Sequence, residues 1–168
     1  MALYVAVAGP GGVGPGEAVE AELTVAEEVG AGLAAAGAVV VTGGLGGVME
    51  AACRGARSRL GITVGLLPGV DRSQANGWVS VAIPTGLGEL RNGLVVQACD
   101  ALVAIGGGPG TLSEIALALK AGRDVVGLGT WEVAGVTPAA SAAEAVTLAL
   151  DLARRRSAGS ARPSAPPP

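Results

Sequence analysis

Short apolar runs recur along the chain at Leu3–Ala8, Val39–Thr42, Ile62–Leu67, Val79–Ile83, Ala101–Ile105 and Val125–Leu128, and each is followed directly by glycine or proline. Between them lie longer segments with helical spacing of apolar positions, at Glu20–Ala36, Gly47–Leu60, Glu89–Cys99, Thr111–Ala121 and Ser141–Arg155. This alternation is the signal of βα units and a parallel sheet. The runs are continuously apolar rather than alternating, which puts the strands in the sheet interior, covered on both faces. The pattern predicts one α/β domain over residues 1–156, a doubly wound, mainly parallel sheet of Rossmann-like type with helices on both faces. After Arg156 the chain reads SAGSARPSAPPP. Such a Ser/Ala/Pro segment has too little apolar surface to order itself, so residues 157–168 read as a disordered tail. The run Arg154–Arg156 falls in the last turn of the final helix, where cations complement the helix dipole.

In doubly wound folds ligands bind beyond the carboxyl ends of the strands. That rule brings Gly9–Gly12, Gly43–Gly47, Pro84–Gly88 and Gly106–Thr111 to one edge. The most informative of these follows the strand run ALVAI: GGGPGTLSE, three glycines and a Pro-Gly-Thr before a helix that carries one carboxylate, Glu114. Glycine there lets backbone N–H groups approach an anion closely, and the first turn of the helix adds unpaired donors and a positive dipole end. The segment VVVTGGLGGVME repeats the design, with Gly43, Gly44, Gly46 and Glu50 aligning on Gly107, Gly108, Gly110 and Glu114. Neither segment has the Lys-Ser or Lys-Thr of a Walker loop, nor a dinucleotide GxGxxG in its usual position, so a mononucleotide-like phosphate suits the pattern better than a triphosphate. The same residues have structural readings. Glycine turns also serve close helix–sheet packing, Thr111 with Glu114 has the spacing of a capping box, and Glu50 is read as stabilising its own helix start. The loop AGPGGVG is a cover for the cleft or a surface loop, and Asn76 in the polar segment PGVDRSQANGW is a weak candidate contact.

Composition narrows the chemistry. Half of the 168 residues are hydrophobic and 29 are glycine, with two Trp, one Tyr and no Phe, so small side chains must pack helices closely on strands. The net charge of −3, with no basic cluster before the tail, gives no electrostatic footprint for nucleic acid. The absence of His excludes Ser-His-Asp and Cys-His catalysis and any imidazole metal site. Cys53 and Cys99 are too few for a zinc tetrad and read as buried small hydrophobes, so neither a metal nor a cofactor is expected. The N-terminus MALYVAVAGPGG has no basic n-region and too short an apolar run for a signal peptide or membrane span, which points to a cytoplasmic protein.

The run Gly110-Thr111 with Glu114, the earlier TGGLGGVMEAACRGA and the intervening TGLGELRN resemble the LOG (Lonely Guy) family, long misnamed possible lysine decarboxylases, whose hallmark is PGGxGTxxE. Within it, TGLGELRN together with IGGGPGTLSE is most similar to a small bacterial branch related to molybdenum-cofactor carrier proteins. The resemblance implies a Rossmann-like fold over about residues 3 to 150 and a homo-oligomer, a dimer or higher. It implies one of two activities. LOG enzymes hydrolyse the N-glycosidic bond of cytokinin riboside 5′-monophosphates to base and ribose 5-phosphate through an Arg and the motif's last Glu, here Arg91 and Glu114, which implies a nucleoside 5′-monophosphate phosphoribohydrolase; carriers of the other branch bind the phosphorylated pterin of the molybdenum cofactor. Gly9, Gly43, Gly44, Gly46, Thr85, Gly86, Asn92, Gly107, Gly108, Gly110 and Thr111 are the expected ligand and phosphate contacts. Read from the residues alone, Arg91 could equally pair with Glu89 on the surface, and Asn92 could lie on an exposed helix position. The chain departs from the enzyme motif where Gly106 replaces the proline and Ser113 the acid before Glu114, and both departures match the carrier-like branch. A lysine decarboxylase is not expected, because the single lysine, Lys120, lies at the far end of its helix from the glycines.

Overall fold

The computed structural model describes residues 1–12 and 17–160. The connection at 13–16 and the tail from 161 onward lie outside the described residues. The strands are β1 (Tyr4–Ala8), β2 (Val39–Thr42), β3 (Thr63–Leu67), β4 (Val81–Pro84), β5 (Ala101–Ile105), β6 (Asp124–Leu128) and β7 (Val136–Pro138); the α-helices are α1 (Glu17–Ala35), α2 (Val48–Ser58), α3 (Asn92–Gln97), α4 (Pro109–Lys120) and α5 (Ala142–Ser160). All neighbouring strands pair in parallel, in the order β4-β3-β2-β1-β5-β6-β7. This is the doubly wound α/β fold that the alternation of strand and helix signals predicts.

Two apolar layers sandwich the sheet because successive strand residues point to opposite faces. Val5 and Val7 of β1 face the cluster built with α1, α2 and α5, while Ala6 and Ala8 face the cluster built with α3 and α4. The glycine and alanine content serves the helix packing. A Cβ on Gly30 would strike the Ala52 carbonyl and one on Gly55 the Glu27 carbonyl, so α1 and α2 cross with backbone nearly touching backbone.

The structure departs from the sequence pattern at four places. The short strand β7, which ends in proline, was not expected. β4 is an edge strand with Val81 and Ile83 exposed, not an interior one, because among the described residues no strand covers its outer side. The expected helix Glu89–Cys99 is divided into a 3-10 turn at Gly88–Arg91 and the short α3. Finally, α5 continues to Ser160, so Arg154–Arg156 lie within the helix, with Arg154 paired to Asp151 at 3.0 Å and Arg156 bonded to the Gly122 carbonyl.

Candidate functional site

β1 pairs with β2 on one side and β5 on the other, and the chain winds outward in opposite directions from these two neighbours. Their carboxyl ends are therefore the switch point, where the diverging connections leave a crevice. A cleft of about 320 Å³ opens there, lined by Gly9, Pro10 and Gly11 after β1, Leu45 and Met49 at the start of α2, Glu89, Arg91 and Asn92 before and in α3, and Gly108, Pro109, Gly110, Thr111 and Glu114 of the β5–α4 turn.

Arg91 is only 5% exposed, and its Nε and Nη1 are shut off from solvent without a hydrogen-bond partner. It forms no ion pair among the described residues, with Glu89 or with any other. A surface pair with Glu89 is thus not what the chain builds. A buried guanidinium with unmet donors is an expensive arrangement unless something else satisfies it, and an oxyanion is the natural complement of its planar fork. Burial lowers the Arg91 pKa below its usual value while Glu114 and Glu89 pull it back, and a guanidinium remains cationic throughout.

Glu114 is 7% exposed. Burial pushes its carboxyl up from near 4.5 to about 7, against the attraction of Arg91, and Glu89 adds a smaller upward push. Thr111 lies one turn earlier on the same helix face, and its Oγ1 is also buried without a partner. The Thr111–Glu114 capping box does not form, because α4 starts at Pro109 with Gly108 as its cap, which puts Thr111 inside the first turn. Asn92 is buried rather than exposed, and its Nδ2 donates to Ser113 Oγ at 2.9 Å, which in turn donates to the Gly110 carbonyl. Ser113, the departure from the enzyme motif, therefore joins α3 to α4.

The two glycine turns are not equivalent in three dimensions. Gly108 caps α4, but α2 begins only after Gly47, three residues later in the aligned pattern, so Glu50 sits in a first turn and Glu114 in a second. The β2 turn is also occupied internally. Its Gly44 N–H donates to Thr42 Oγ1, the Gly44 and Leu45 carbonyls accept from Asn76, and the Val48 N–H donates to the Pro10 carbonyl. Asn76 thus clamps the turn from behind rather than facing the cleft. Gly43 backs the site: a Cβ there would fall on the Arg91 guanidinium.

Of the expected contact residues, the structure brings Gly9, Arg91, Asn92, Gly108, Gly110, Thr111 and Glu114 together. Gly43, Gly44, Gly46 and Gly107 lie around the cleft without lining it. Thr85 and Gly86 sit beyond β4, where the Thr85 hydroxyl donates to the Leu67 carbonyl and the Gly86 N–H to the Gly69 carbonyl. The sequence reading missed Leu45, Met49 and Glu89 in the lining. Leu45 precedes the α2 cap and Met49 lies in the first turn of α2, so no helical spacing links them in the sequence. Both thiols are buried, and burial raises both, Cys99 to about 12. Among the described residues no cluster of His, Cys, Asp or Glu is suited to a metal ion, and no helix is long and apolar enough to cross a membrane.

Fold and site together define a switch-point α/β protein whose cleft carries a buried arginine and a buried glutamate. The SLOG cluster4 family model matches residues 2–154, and the chain belongs to that family, in agreement with the LOG-like resemblance of its motifs. It is similar to the molybdenum cofactor binding protein of Rippkaea orientalis (33% identity, TM-score 0.82, covering 90% of this chain and 98% of that one). It is likewise similar to the molybdenum cofactor carrier protein of Chlamydomonas reinhardtii (36% identity, TM-score 0.79, covering 90% and 98%). An uncharacterized protein of Archaeoglobus fulgidus is 44% identical over 118 residues, 70% of this chain and 78% of that one. DNA processing protein A of Streptococcus pneumoniae shares the fold at 17% identity and a TM-score of 0.63, over 88% of this chain and 61% of that one.

Proposed function

We propose that the cleft between β1 and β5 binds the phosphate of a nucleotide-like or pterin-like ligand and that the protein carries this ligand rather than consuming it. The observation that carries the reading is Arg91, a buried cation with Nε and Nη1 unpaired beside the α4 first turn. A phosphate monoester would satisfy the guanidinium fork, and the first-turn amides of Gly110 and Thr111, which have no intrahelical acceptor, would add donors. Carriage is favoured by Ser113, since the hydroxyl that stands in place of the enzyme motif's acid is committed to Asn92 and Gly110. The similarity to a molybdenum cofactor binding protein and a molybdenum cofactor carrier supports the same choice and suggests molybdenum cofactor or a related phosphorylated heterocycle as cargo.

One observation favours a second reading, phosphoribohydrolase activity. Glu114, with its carboxyl near 7, is suited to exchange a proton at neutral pH, and as a carboxylate it would stabilise the oxocarbenium character that develops as a base leaves C1′. The deciding experiment measures ribose 5-phosphate release from a panel of nucleoside 5′-monophosphates alongside molybdenum cofactor binding. Retained cofactor with no turnover supports the carrier. Turnover abolished by Glu114→Gln supports the hydrolase.

A further inference from the structure

A second cavity, of about 560 Å³, lies at the carboxyl ends of β6 and β7, walled by Val133, Val136 and Pro138, with Thr130, Trp131 and Glu132 on the loop that crosses it. Its size falls within the range of small-molecule sites, about 300–1,000 Å³. Three features of its lining point to one kind of occupant. The Trp131 ring is 44% exposed although its Nε1 is bonded to the Gly108 carbonyl at 3.3 Å, so a large aromatic surface is presented in a fixed orientation. The Thr130 Oγ1 is shut off from solvent and has no hydrogen-bond partner. Glu132 is exposed and forms no ion pair among the described residues, which leaves a carboxylate acceptor in the lining.

We propose that this cavity is a second binding site, for a planar heteroaromatic ring with N–H donors on its edge. The ring stacks on Trp131, the apolar side chains of β7 and Val133 cover its other surfaces, Thr130 gives it a hydroxyl partner, and the Glu132 carboxylate accepts from its N–H edge. An aliphatic guest would leave both the hydroxyl and the carboxylate unmet. A free anion would meet Glu132 repulsively, which separates this site from the cleft at Arg91. The bond from Trp131 to Gly108, a residue of that cleft, makes the two sites neighbours, but ring binding here does not depend on a phosphate being held there.

The test uses Trp131 as its own reporter. In a Trp78→Phe background it is the only tryptophan, and guanosine, which has no phosphate, is the probe. Saturable quenching of the Trp131 emission is expected. It should weaken about fivefold in Thr130→Val, the loss of one hydrogen bond of about 1 kcal/mol, and remain unchanged in Arg91→Ala. Thr130→Val removes a buried unpaired hydroxyl, so it should melt no lower than its parent and isolates binding from folding. Quenching that rises linearly to the solubility limit, as simple collision gives, would overturn the proposal. So would quenching that disappears in Arg91→Ala, because the ring would then belong to the Arg91 cleft. Equilibrium dialysis with labelled guanosine gives a second readout: retention by Trp131→Phe and loss by Trp131→Ala is the expected pair, and equal retention by both would count against stacking.

Discussion

The guanidinium of Arg91 occupies the space that a side chain at Gly43 would take. The glycine after β2, read from sequence as a phosphate contact, is thus the floor on which the cleft's cation rests. Gly43→Ala forces the buried guanidinium aside while leaving the backbone of both residues in allowed conformations. The expected result is a loss of at least about tenfold in affinity for a nucleoside 5′-monophosphate, about 1.4 kcal/mol, with a melting temperature close to that of the parent. Titration calorimetry on both proteins checks it. Unchanged affinity would mean that Arg91 does not hold the anion.

Gly106 stands where the enzyme motif has proline, and its φ is +64°. Proline is confined near −65°, so this backbone cannot accept it. Restoring the motif by Gly106→Pro should therefore destabilise the fold by about 3 kcal/mol or more. Gly106→Ala carries the smaller penalty of a left-handed residue, about 1–2 kcal/mol, and adds a clash, since its Cβ would meet the Glu22 carboxylate of α1 at 2.6 Å. The clash is with the end of a flexible side chain, so the double variant with Glu22→Ala should recover part of the loss. Chemical denaturation of the set measures both contributions. A substitution that looks like an alteration of chemistry is in this chain a requirement of backbone geometry.

How much of this could be read in advance depended on whether the signal was local. Strands β1, β2, β3, β5 and β6 are buried on both faces, so each appears as a continuous apolar run ending at a glycine or proline. β7 has only Val136–Pro138 at an exposed edge, and three residues ending in proline carry no periodicity to detect. The same limit applies to the site. Glu114 and Thr111 were legible because they share one glycine motif, and Arg91 because it stands in TGLGELRN. The repeat at Gly43–Glu50 aligned letter for letter with Gly107–Glu114, but helix start is decided by which residue adopts the capping conformation, and Gly47 at φ +65° does so three residues late. No sequence pattern links Asn92 to Ser113 or Asn76 to Gly44, because both bonds join segments brought together only by the sheet order.

Asn76 supplies a prediction on stability alone. Its amide satisfies the Gly44 and Leu45 carbonyls at 3.2 and 2.9 Å, and its Oδ1 accepts from the Trp78 N–H. Asn76→Ala leaves the part-buried Leu45 carbonyl without a donor and the Gly44 carbonyl with only the backbone N–H of residue 76, a loss of about 1–3 kcal/mol. Asn76→Asp keeps the acceptor and removes the two donors, so it should be at least as damaging. Equal stability of all three proteins in urea would show that the clamp contributes nothing.

Glu114 makes the site's charge depend on pH near neutrality. Its carboxyl is raised by burial from near 4.5 to about 7, with Arg91 opposing and Glu89 reinforcing from the turn before α3. A raised carboxyl holds its proton more tightly in the folded chain than in the unfolded one. The contribution of Glu114 to stability is therefore greatest below about pH 4.5, declines as pH rises between 4.5 and 7, and reaches its full reduction above 7. The expected size is about 3 kcal/mol at most. Glu114→Gln should abolish this decline, so the variant gains on the parent as the pH is raised. Anion binding follows the same titration. Below pH 7 a neutral Glu114 leaves the Arg91 charge uncompensated, and above it the carboxylate competes with the incoming phosphate for the guanidinium. Affinity for a sulfate monoester, whose own charge is constant through this range, should fall as pH rises from 6 to 8 in the parent and stay level in Glu114→Gln. A parallel fall in both proteins would assign the pH dependence to a group other than Glu114.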